Sequence, residues 1–142
     1  MKRVAVAICS CAALAAVAAQ PMAAGTTASA SEATKARAVL LYEVQLFNQS
    51  RWRAAWRTYT PRIHSGCSYQ RFAAGMKTIR ARVGRVALHN IAVRVTGNRA
   101  FITYRIVGHG KVVGGAAARN PDVFARIGGR WFDDVDADGL CP

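Results

Sequence analysis

Apolar and polar positions divide the chain into stretches of different period. Residues 4–19 are a run of small apolar side chains behind the positive start Met1-Lys2-Arg3, which is the pattern of a secretion signal. The run is too short and too rich in alanine for a membrane span, which needs roughly 20 strongly apolar residues. Two cleavage points satisfy the small-x-small rule, after Ala18 and after Gly25. Residues 26–33 are small and polar, and are expected to form a flexible leader in which Ser31 caps a helix and Glu32 sits in its first turn.

The next stretch has a helical period. Over residues 32–48, Ala36, Val39, Leu40, Val44 and Phe47 fall on one face at roughly 100° per residue, with Leu41 and Leu46 flanking them and Glu43 inside the arc. Trp52, Trp56 and Tyr59 recur at helical spacing over residues 51–59, with Arg53 and Arg57 on another face, and Thr60-Pro61 reads as the stop. A loop with His64, Gly66 and Cys67 then leads to a third helix, from Ser68 through Phe72, Met76 and Ile79 to about Val83.

From residue 85 the period falls to two, with β-branched and aromatic residues dominating. Ile91, Val93 and Val95 alternate with polar neighbours, while Val86 and Leu88 have the opposite parity, so a bulge near His89-Asn90 is needed. Thr96-Gly97-Asn98-Arg99 predicts a tight turn into a strand whose Ala100, Ile102, Tyr104 and Ile106 share a face. Residues 108–118 read as a glycine-rich loop or frayed hairpin, and residues 123–135 as a last hairpin around Gly128-Gly129. The expected fold is a single α+β domain over residues 34–142: three N-terminal helices packed on a curved antiparallel sheet of about four strands, enclosing a conical pocket.

Charge and cysteines add the environment. A signal over residues 1–25 removes Cys9 and Cys11 and leaves Cys67 and Cys141 as the one remaining pair. In an oxidising compartment these are expected to form a disulfide, worth about 4 kcal/mol on the chain-entropy argument for so long a loop. The formal net charge is +13, and arginine supplies most of the 20 basic residues. Such a balance points to an anionic partner, or simply to a solvated basic surface. Export makes nucleic acid an unexpected target and directs attention to the cell envelope.

The order of elements, with "WRTYTPRIHSGCS", "YQRFAAGM", "IAVRVTGNRAFITYRI" and "VFARIGGRWFDDV" in turn, resembles the nuclear-transport-factor-two-like (SnoaL-like, cystatin-like) superfamily, in particular its small exported bacterial members. The match covers roughly residues 34–135. The resemblance implies a pocket, here lined by Leu40, Glu43, Phe47, Trp56, Tyr104 and Trp131, and a homodimer through the sheet. The superfamily hosts enzymes, binding modules and inert scaffolds alike.

Glu43 is the sharpest candidate, because a carboxylate on an apolar helix face must be neutralised, paired or open to a cavity. It pairs with an arginine such as Arg94 or Arg105, snorkels out to solvent, or faces the pocket as a general base. His89, near the bulge, is the second candidate base. Isomerase-like members of the resembled superfamily use pocket Asp or Tyr residues, and no Asp is placed in the middle of a strand here. No Cys/His set has zinc spacing, and Asp134, Asp136 and Asp138 match only half of a calcium loop, so no metal or cofactor is expected. The aspartates at 133, 134, 136 and 138 read as an offset to the arginine excess. The sequence thus favours an exported non-enzymatic domain that binds a small apolar ligand or an anionic envelope component. A pocket enzyme using Glu43 or His89 is the alternative.

Overall fold

The computed structural model describes residues 24–134, so the apolar run at 4–19 and Cys141 lie outside the described residues. The first helix, α1 (Ala24–Asn48), starts well ahead of the expected position. Residues 26–33 are helical rather than a flexible leader, because no proline interrupts them and alanine recurs through them. Ser31 is therefore not a cap. Glu32 is an interior helical residue that accepts from Trp131 Nε1 at 3.0 Å and pairs with Arg126 at 3.0 Å and Lys35 at 2.8 Å.

The short α2 (Trp52–Trp56) covers only part of the predicted second helix, and α3 (Pro61–Gly66) occupies the predicted loop, so the described residues form four helices where three are expected. Thr60-Pro61 opens a helix instead of only ending one. Proline at the first helical position loses no bond, since that N–H has no intrahelical partner. Thr60 is the N-cap, and its hydroxyl also donates to Asp134 Oδ1 at 2.7 Å. Ser68, expected to begin the third helix, is the N-cap of α4 (Tyr69–Val83), accepting from the Arg71 N–H at 3.2 Å.

Five strands follow among the described residues: β1 (Val86–Thr96), β2 (Arg99–Gly108), β3 (Lys111–Ala116), β4 (Asp122–Ile127) and β5 (Arg130–Asp133). The glycine-rich stretch supplies one of them, β3. All pairs are antiparallel in the order β1-β2-β4-β5, with β3 added on β2. One edge of β2 is shared: its Arg99–Ile102 half pairs with β4 and its Tyr104–Gly108 half with β3. The expected bulge lies between His89 and Ala92, with Asn90 at φ 56°.

The curved sheet wraps α1. Ala36 and Leu40 pack with Ala100, Ile102, Phe124 and Trp131 in one cluster, and Val39, Val93, Val95 and Tyr104 close it from the sides. A second cluster joins Leu46 of α1 to Trp52, Ala55, Cys67, Phe72, Ala73 and Met76. Burying one large apolar side chain stabilises by about 1.5–3 kcal/mol, so α1 matters twice, once in each cluster. Its C-terminal Asn48 fixes the sheet's start by donating to the Val86 carbonyl and accepting from the Val86 N–H, both at 2.8 Å. Cys67 is buried and disulfide-bonded. No described helix is long and apolar enough to cross a membrane.

Candidate functional site

Where the two clusters meet, Glu43 lies one turn after Leu40 and one turn before Phe47 on the inner face of α1. Two strand residues send negative charge toward it. Asp133 ends β5, and its backbone is clamped to the segment after α2: its N–H donates to the Thr58 carbonyl at 2.9 Å and its carbonyl accepts from the Thr60 N–H at 2.8 Å. Asp122 begins β4 opposite Ile102, and the Tyr104 hydroxyl donates to its Oδ2. Both aspartates are buried.

Glu43 titrates well above the 4.5 of a free glutamate. Burial is the main cause and the charge of Asp133 the next. A hydrogen bond from Thr58 pulls the other way, and Asp122 adds a smaller upward push. Its Oε1 is buried with no hydrogen-bond partner among the described residues. The residue as a whole is half-buried. A carboxyl in this setting keeps its proton where an ordinary glutamate has lost it, and can donate a hydrogen bond or, at higher pH, accept a proton.

The arginine pairing weighed for Glu43 is not formed. Arg94 and Arg105 are exposed on the opposite side of the sheet, and the salt bridges among the described residues involve Lys35, Arg62 and Arg126. The six expected pocket residues also divide. Leu40, Tyr104 and Trp131 join the sheet cluster, Phe47 and Trp56 join the helical cluster, and Glu43 stands between them. His89 is exposed beside the bulge, opposite Arg105, so the fold does not bring it to Glu43. His64 has a packing role: its Nε2 bonds to the Trp56 carbonyl at 2.7 Å, and its ring lies 4.3 Å from that of Trp56.

The carboxyls on the strands are what the sequence reading missed. Asp134 does bind a base, pairing with Arg62 at 3.0 Å, whereas its neighbour Asp133 turns inward. The available signal was parity, since Asp122 shares a face with Phe124, and Asp133 with Trp131. Among the described residues no three His, Cys, Asp or Glu side chains are placed to hold a metal ion. Asp136 and Asp138 lie outside the described residues. No protein-family model and no curated protein matches the chain.

Proposed function

We propose that the protein is an exported, non-enzymatic domain of the nuclear-transport-factor-two-like type. In this reading it binds a small ligand in a conical pocket between α1 and the inner face of the sheet, with protonated Glu43 as the anchoring donor. The succession of helices and curved antiparallel sheet agrees with that reading. A disulfide-bonded Cys67 agrees with an oxidising compartment. The observation that carries the ligand is Glu43 Oε1, enclosed without a hydrogen-bond partner among the described residues. An unsatisfied buried polar group costs about 1–3 kcal/mol, which a ligand carbonyl or ether oxygen accepting the Glu43 proton would recover. Native mass spectrometry of protein purified from its own host is the test. The wild type is expected to carry a small bound mass that Glu43→Leu lacks, and a wild type with no adduct, or a variant that keeps it, overturns the reading.

The raised titration of Glu43 supports a second reading, a pocket enzyme of isomerase- or hydrolase-like chemistry, because a general base works best when its pKa approaches the working pH. A benzisoxazole, whose ring opens on loss of one proton, separates the two readings. An enzyme turns it over with a rate that rises with pH through the titration of Glu43 and is abolished in Glu43→Gln, and a binding domain does not turn it over. An anionic envelope partner is supported by the exposed arginines and would meet the outer surface instead.

A further inference from the structure

We infer that the outer face of the sheet carries a separate binding site for a small carboxylate with a flat apolar body, seated in the groove between Arg94, Phe101, Thr103, Ala118 and Pro121. Residues of β1 and β2 that alternate with the buried set face outward here: Ala92 opposes Thr103, and Arg94 opposes Phe101. With Val93, Ala118 and Pro121 they line an open groove of about 200 Å³, the volume of roughly seven liquid waters at ~30 Å³ each. That is room for one ring and its substituent, not for a large cofactor.

The polar groups in the groove are few and placed. The Arg94 guanidinium lies over the Phe101 ring, 4.5 Å from its centroid, and donates to Thr96 Oγ1 at 3.2 Å. Held on one face by the ring and at one end by the hydroxyl, it is pre-ordered to offer its remaining N–H groups to an anion. A planar fork of that kind matches a carboxylate in two-point contact. Thr103 supplies a hydroxyl across the groove, while Ala92, Phe101, Ala118 and Pro121 supply the apolar floor.

Charge is segregated across the sheet. The described carboxyls are Glu32 and Glu43 on α1, the buried Asp122 and Asp133, and Asp134 bound to Arg62. Outward-facing Arg94, Arg99 and Arg105 are all exposed, and none of them takes part in a described salt bridge. The groove therefore sits in a field of one sign, which draws an anion in and disfavours a cation. A single fork inside a groove of this size selects one carboxylate on a compact body, and a long polyanion would gain nothing from the apolar floor. The site is independent of the interior reading and uses none of its residues.

Titration of the full exported protein with benzoate, followed by amide NMR shifts, tests this. Expected are saturable shifts confined to residues 92–94, 101–103 and 118, with none from benzyl alcohol at the same concentrations. Binding should weaken about tenfold in Arg94→Gln, the loss of one charge-assisted contact, and should weaken also in Arg94→Lys, which keeps the charge and loses the fork. Unsaturated shifts spread over every exposed arginine mean non-specific anion attraction and overturn the site. Affinity unchanged from the wild type in both variants overturns it too, as do shifts at these positions that follow protein concentration alone, which would mean that a second copy of the chain covers the face.

Discussion

Glu43 concentrates the chemistry of this chain in one side chain. Because its pKa is raised on folding, chiefly by burial, the native state holds a proton that the unfolded chain releases above about 4.5. The stability that proton brings is fully present below 4.5 and is lost as pH rises through the elevated native value. Glu32 works in the opposite sense. Its pKa is lowered, first by its bond from Lys35, so its contribution is present above 4.5 and fades in acid. Glu43→Gln is therefore expected to melt higher than the wild type at neutral pH and to flatten the decline expected above 4.5, with thermal melts at a series of pH values as the measurement. An unchanged pH profile would mean that Glu43 is ionised like any surface glutamate. Glu43 was legible in the sequence because a charge inside an apolar helical arc stands out. Asp133 was not, because beside Asp134 it reads as one more surface aspartate, and only the clamp of β5 onto Thr58 and Thr60 turns it inward.

At the level of elements, local signals transferred well where each residue's own preference decided the outcome. Ser68 caps α4, the Gly97-Asn98 turn joins β1 to β2, and the parity break at His89 becomes a bulge. They failed where tertiary pairing decided it. The segment containing Gly114-Gly115 has little strand propensity, yet it becomes β3 because β4 leaves half of one β2 edge open. Gly115 is suited to that place: its φ is 144°, and a Cβ there would lie 2.3 Å from the Tyr104 carbonyl oxygen. Gly115→Ala should thus push β3 off β2 beside Tyr104 and cost more than the ~1 kcal/mol of a simple glycine replacement. Gly66→Ala, where nothing lies within 4 Å, should be near neutral. Urea denaturation of the two variants checks the contrast, and equal stabilities would place the β2–β3 contact outside the cooperative unit.

Across the whole molecule, α1 is the common wall of both clusters, and Cys67 adds a covalent tie to the helical one. Reducing the disulfide should lower unfolding free energy by about 2–5 kcal/mol, read as a drop in the urea midpoint on adding dithiothreitol. No shift would mean that packing alone holds the helices. The fold class was legible at this scale because a helical period gives way once, near residue 85, to a period of two. Which side chains converge was not legible, since Phe47 and Trp56 are separated from Tyr104 and Trp131 by long-range packing.

The indoles are distributed along the same division. Trp52 and Trp56 lie in the helical cluster, while Trp131 lies in the sheet cluster, hydrogen-bonded to Glu32 and with the Arg126 guanidinium 5.9 Å from its ring centroid. The chain thus carries a native fluorophore in each half, and with Trp131 replaced by phenylalanine its ultraviolet emission would report on the helical half alone.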